Sequence, residues 1–324
     1  MKTKITELFG IQYPIIQGGL AYLAYSELAA AVSNSGGLGQ ITAMSLKNPE
    51  ELRAEIKKVR SLTDRPFSVN YAIGEHGRKY EHMLEVAIEE KIEIISITGG
   101  NPKPLVEKVK PYGIKTIVLT STVRQAQKCE EIGVDAVIVV GQEGGGHLGR
   151  NDSGTITLIP RVVDSVNIPV IASGGIGDGR GLAAAIALGA EGIEMGTRFI
   201  ATKECIAHEN YKQALINSME LDTVVIKKSI GSPARVLNTP VAQKILELES
   251  NEVGYEGLKE YISGETNQKF AIDGNYESGI AYAGQVIGLI DDIPTVQKLI
   301  ERIVTQAKDA TDRLNRMTET RIKA

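Results

Sequence analysis

The sequence predicts an α/β protein: a (β/α)8 TIM barrel with a smaller, mainly helical cap inserted near the C-terminus. Three observations predict it. Short β-branched runs alternate with amphipathic stretches of helical length through roughly the first two hundred residues. Gly, Asn, Ser or Thr stands directly after nearly every run. The alternation then stops after Ile200.

The runs are Pro14–Gln17, Leu38–Thr42, Phe67–Asn70, Ile92–Ile97, Lys115–Leu119, Ala136–Val140, Pro169–Ala172 and Gly192–Met195. Short, apolar on both faces and flanked by Gly or Pro, they read as buried parallel strands. Helical spacing of apolar residues marks Ser26–Ser35, Pro49–Ser61, Lys79–Glu90, Pro102–Pro111, Val123–Ile132, Ile156–Ser165 and Arg180–Leu188. Asn48-Pro49 and Asn101-Pro102 each set an N-cap residue before a first-turn proline. Periodicity alone also permits an open doubly wound sheet. The residues after the strands favour the barrel: Gly18-Gly19, Asn70, Thr98-Gly99-Gly100, Thr120-Ser121, Gly144-Gly145-Gly146, Ser173-Gly174-Gly175 and Gly196-Thr197. An open sheet needs such loops only at its switch point, whereas a barrel gathers all eight around one mouth.

The expected barrel comprises 1–204 and 286–324, with 205–285 as a substrate-binding cap that is mostly helical and has no clear strand. An irregular helical tail is the other reading of that segment. Pro294–Arg316 reads as one long amphipathic helix returning to the barrel wall.

Bulk properties exclude several functions. A formal charge of −4 offers no attraction to nucleic acid. Cys129 and Cys205 stand far apart, without zinc or disulfide spacing, and no metal is expected. No apolar run approaches the roughly 20 residues of a membrane helix, and no signal peptide is evident, so a cytoplasmic protein is expected.

Chemistry is expected where Val170–Arg180 and Glu194-Met195-Gly196-Thr197-Arg198 end the last two strands. Paired glycines expose main-chain N–H groups and the next helix adds its positive end, which together make a phosphate site. The literal G-x-G-x-x-G at Gly144–Gly149 is not a dinucleotide fingerprint, because no helix opens at that loop. It does bring Glu143, Gly146 and His147 to the mouth, with His147 as catalytic or substrate-contacting residue or as an exposed loop histidine. His76 is a weaker candidate; His82 and His208 read as surface residues.

Taken in order, the motifs resemble the nitronate monooxygenase superfamily, and within it the flavin-containing enoyl-acyl carrier protein reductases. They are Tyr13–Gly19, Ser35–Gly39, Pro66–Asn70, Gly145–Gly149, Ser173–Ile176, Gly196–Phe199 and Ala283–Gln285. The resemblance implies FMN as cofactor and NADH or NADPH as co-substrate. It places Gly18 and Gly19 against the isoalloxazine and Asn70 in hydrogen bond to it. Gly145, Gly174 and Gly175 would contact the ribityl-phosphate, and Glu194, Met195, Gly196 and Thr197 would complete the cofactor site. His147 matches the base of the nitroalkane-oxidising branch and lines the substrate site in the reductase branch. Expected partners are a small-molecule or acyl-carrier-protein-linked substrate and a second copy in a homodimer. NAD(P)H-dependent enoyl thioester reduction leads; nitronate oxidation, quinone reduction and a non-redox phosphate-binding barrel are the alternatives. Val140, Gly144, Glu194 and the loop Tyr71–Gly77 depart from the family pattern. An ionised Glu194 beside the flavin would disfavour its anionic reduced form.

Overall fold

The computed structural model describes residues 1–74 and 79–322; His76 lies outside them. Eight parallel strands form the main sheet. They are β1 (Ile15–Gln17), β2 (Gly39–Thr42), β3 (Phe67–Ala72), β4 (Ile94–Thr98), β5 (Lys115–Thr120), β6 (Ala136–Val140), β8 (Val170–Ser173) and β9 (Gly192–Met195). Their order is β1-β9-β8-β6-β5-β4-β3-β2. The ends join: Leu38 N–H donates to the Ile15 carbonyl at 2.9 Å, and Gln17 N–H donates to the Leu38 carbonyl at 3.0 Å. The sheet is therefore closed into the expected barrel, and the open-sheet reading is excluded.

Helices follow the strands nearly where periodicity placed them, among them Ser26–Asn34, Pro49–Leu62, Val123–Glu131, Thr155–Val163 and Gly179–Ala187. Asn48 and Thr122 cap two of these through their side chains, accepting from Glu51 and Gln125 N–H groups. After β9 comes only the short turn of helix Thr197–Ile200. The terminal helix Val296–Ile322 packs on both Gly179–Ala187 and Ser26–Asn34. It thus occupies the wall position of an eighth barrel helix, as its amphipathic pattern foretold.

One element was not expected. Helix Lys4–Phe9, opened by a reciprocal Thr3–Thr6 capping box, closes the N-terminal end of the barrel. Its Ile5 and Phe9 join Ile16, Leu38, Ile94, Ile117, Ile138 and Ile171 in a dry interior plug.

The segment 205–285 is mainly helical, as expected, but the expectation that it has no clear strand is corrected. It contains helices Glu209–Ile216, Pro240–Ser250 and Gly264–Ala271, but also an antiparallel hairpin of β10 (Thr223–Ile226) and β11 (Ala234–Leu237). β11 pairs in turn with β7 (Gly146–His147), the two-residue strand between β6 and β8. The physical reason is plain in the residues. Thr223-Val224-Val225-Ile226 is continuously β-branched, and Gly231-Ser232-Pro233 cannot continue a helix. Ile226, Val236, Ala242, Ile245, Leu258 and Ile280 form a second small core there, while Tyr211, Phe270 and Ala283 root the excursion in the main core.

Candidate functional site

The C-terminal mouth begins with a polar belt inside the barrel. Ser68 and Ser96 hydroxyls both donate to Gln40 Oε1, the former at 2.8 Å, and Gln40 N–H donates to Gln17 Oε1 at 2.9 Å. Asn70 Nδ2 donates to Ser96 Oγ at 2.9 Å and to Thr98 Oγ1 at 3.1 Å. Most buried polar groups in folded proteins are paired in this way. The belt fixes Asn70 on the floor of the mouth, and Gly19 makes room for it. A Cβ at Gly19 would stand 2.6 Å from the Asn70 carboxamide.

β9, paired with β1 and β8, supplies Glu194 beside Gly18. Ser173 Oγ donates to Glu194 Oε2 at 2.8 Å, and Oε1 lies 3.4 Å from where a Gly18 Cβ would stand. Burial pushes the Glu194 carboxyl up to about 7, against the smaller opposing effect of the Ser173 bond. The side chain is therefore divided between neutral and ionised forms near neutrality. Met195 turns its side chain outward into the core, so only its carbonyl, which accepts from Gly18 N–H at 2.9 Å, faces this region.

The rim after β8 and β9 is bare main chain. Gly174 and Gly175 hold φ values of +91° and +73°, conformations that disfavour any side chain. Among the described residues, neither the Gly175 nor the Gly196 N–H meets a main-chain acceptor. Thr197 is buried and its hydroxyl accepts from Gly284 N–H at 3.0 Å, which ties the rim to Ala283-Gly284-Gln285. Gly145 and Gly284 pack backbone to backbone: a Cβ at Gly145 would sit 2.5 Å from Gly284 N. One part of the expected anion site is corrected. The helix Gly179–Ala187 does not lend its positive end to the mouth. Asp178 caps it, accepting from Arg180 and Gly181 N–H groups, and Gly179 N–H donates to Gln306 of the terminal helix.

The other side of the mouth is built by the second sheet. His147 pairs with Ala234 and stands 5.7 Å, centroid to centroid, from the Tyr282 ring. Lys227 follows β10 directly, 5% exposed and at φ +64°, and its Nζ lies 2.9 Å from His147 Nε2. Burial lowers Lys227 to about 8. Desolvation first, then the Lys227 charge, lowers His147 to about 4. His147 keeps solvent access through the mouth. That access limits the size of its shift but not the sign, since the ammonium acts in the same direction. An ammonium has only donors, so Nε2 must accept and the neutral ring carries its proton on Nδ1.

Glu143, expected at the substrate, has both carboxylate oxygens engaged by Thr155, accepting from its N–H at 3.0 and 2.9 Å and from its hydroxyl at 2.9 Å. Gly146, at φ +80°, is the turn residue that brings His147 into register with β11. His82 is exposed, and His208 accepts from Asn210 N–H at a helix start. The structure thus gathers Gly18, Gly19, Asn70 and Glu194 on the floor and Gly174, Gly175, Gly196 and Thr197 on the rim. Lys227, Ser173 and the glutamine–serine belt were missed. For Lys227 the available signal was its place immediately after a β-branched run.

Known proteins resemble this chain over nearly its whole length. A family model described as nitronate monooxygenase matches residues 2–76 and 70–306. A FabK structure from Thermotoga maritima superposes with a TM-score of 0.92 at 40% identity, covering 97% of this chain and 99% of that one. A Rhodococcus jostii protein named (3aS,4S,5R,7aS)-5-hydroxy-7a-methyl-1-oxo-octahydro-1H-indene-4-carboxyl-CoA dehydrogenase is 36% identical, over 97% of this chain and 98% of its own. A Staphylococcus saprophyticus protein named probable nitronate monooxygenase is 34% identical, over 97% and 99%.

Proposed function

The chain belongs to the nitronate monooxygenase family of flavin-dependent oxidoreductases, and from that premise we propose that it binds FMN and reduces an enoyl thioester with NADH or NADPH. The residues present fit FMN. Unhindered amides at Gly175 and Gly196 suit a phosphate, and the side-chain-free Gly18 and Gly19 beside Asn70 suit a flat ring. Bound FMN would accept a hydride and pass it on, which no side chain here can do.

The observation that carries the choice of substrate is the contact between Lys227 Nζ and His147 Nε2. It occupies the lone pair a base would use and lowers the basicity of the ring. Proton abstraction from a nitroalkane is therefore disfavoured. The same contact polarises the Nδ1–H as a donor, suited to the oxygen of a thioester carbonyl as negative charge develops on it. The excursion 205–285, which supplies Lys227 and Tyr282, is proposed as the substrate-binding part, and barrel and excursion as the two domains. The carboxyl-CoA in the name of the Rhodococcus relative is likewise a thioester, acted on there by a dehydrogenase.

A second reading is nitronate oxidation, supported by the name of the staphylococcal relative. A nitronate is already an anion and needs no base, so Lys227 would serve it by charge alone. Anaerobic addition of NADH or NADPH followed by a crotonyl thioester separates the two. Oxidation of the nicotinamide with saturation of the thioester supports reduction. Oxygen uptake with propyl nitronate, without nicotinamide and without thioester turnover, replaces it with the second reading.

A further inference from the structure

Glu194 is an unusual group to find on the floor of a barrel. It is 7% exposed, yet among the described residues it forms no ion pair. Ser173 Oγ donates to one oxygen, Oε2, and orients the carboxyl. Among the described residues the other oxygen, Oε1, has no hydrogen-bond partner, and it borders Gly18 at the mouth. The strands packed on β9 bring no ionisable side chain to it: β1 carries Ile15, Ile16 and Gln17, and β8 carries Val170, Ile171, Ala172 and Ser173. In the loop after β1, the Tyr22 hydroxyl faces Gly264, and Tyr25 faces Glu55 and Glu51. Glu143 is held by Thr155, and Lys227 lies against His147. A carboxyl so desolvated and without a cation keeps a proton that a surface carboxyl would shed.

We propose that Glu194 is a proton-bearing donor on the floor of the mouth, oriented by Ser173, whose Oε1 hydroxyl bonds an acceptor atom on the ring of the bound cofactor. The inference rests on the flavin reading above. It adds that the cofactor is held by the neutral form of Glu194 and repelled by the ionised form. A proton therefore enters the binding equilibrium as a participant. No electron transfer is involved: the cofactor binds oxidised, the carboxyl keeps its proton, and loss of that proton to solvent weakens the complex.

The test uses the apoprotein and FMN, with affinity read from quenching of flavin fluorescence between pH 5.5 and 8.5. Contributions from the phosphate, His147 and Lys227 are common to the native protein and Glu194→Gln, so the comparison isolates Glu194. Native affinity is expected to weaken across that interval by about tenfold more than that of Glu194→Gln, as one unit of pKa displacement implies. Ser173→Ala is expected to move the midpoint to higher pH. Infrared spectra of the native apoprotein at pH 6 are expected to show a protonated-carboxyl stretch that is missing in Glu194→Gln and shifts when FMN is added. Parallel pH profiles, or a native protein without that band, overturn the inference while leaving the flavin reading intact. Failure of both proteins to bind FMN at any pH overturns both readings.

Discussion

The two ends of the barrel interior are made from the same eight strands and could hardly differ more. At the N-terminal end Ile5 and Phe9 press on Ile16, Leu38, Ile94, Ile117, Ile138 and Ile171, a layer of apolar side chains. Toward the mouth the inward positions become Gln40, Ser68, Asn70, Ser96, Ser173 and Glu194. One end lowers the free energy of the fold by removing apolar surface from water. The other spends burial on paired polar groups, a lone carboxyl and a lysine at positive φ. Stability and chemistry are thus separated along the barrel axis, and mutations at the two ends should fail in different ways.

The largest effect is expected at the plugged end. Phe9→Ala removes a ring that is 2% exposed and should cost about 3–5 kcal/mol of stability. Denaturant unfolding reads that loss, while the folded fraction should bind FMN with native affinity. Weakened FMN affinity in the folded fraction would mean that the two ends are coupled.

At the mouth, Lys227→Met should lower kcat/KM for an enoyl thioester by about 10–100-fold, the loss of a charge-assisted bond to the oxyanion donor. Its melting temperature should stay the same or rise, because burial already disfavours the ammonium. With Lys227 lowered to about 8, native kcat/KM should fall as pH rises through that value. Lys227→Arg should displace this alkaline limb upward, since a guanidinium stays charged. An alkaline limb unchanged in Lys227→Arg would separate Lys227 from catalysis.

Glu194→Gln should change stability in the opposite sense to Phe9→Ala. The folded-state pKa of Glu194 is raised from its ordinary 4.5 to about 7. Its proton is then held more tightly in the folded than in the unfolded protein, and stability falls as pH rises through that window. At pH 8 the amide should stabilise the apoprotein by about 1–3 kcal/mol, and at pH 4.5 by little. Equal stability of the two proteins at pH 8 would place the native carboxyl back in water.

The barrel was legible because its signals are local. The run Lys115–Leu119 became β5 almost unchanged, and the glycines expected after the last two barrel strands lie on the rim after β8 and β9. The features that escaped depend on distant partners. Lys227 and His147 are 80 residues apart, and nothing near either in sequence announces the other. Asp178 read as part of a phosphate loop, but its carboxylate caps the next helix, a competition that spacing alone does not decide. The β10–β11 hairpin was legible and was overlooked, because its four β-branched residues sit between helical stretches.

The central claim is that bare amides at Gly175 and Gly196 grip a phosphate on the rim. The direct measurement compares the affinity of the apoprotein for FMN with that for riboflavin, which lacks only the phosphate. Charge-assisted bonds from main-chain donors should make FMN bind about 100-fold tighter. Equal affinity for the two would show that the rim contributes nothing, and would contradict the account.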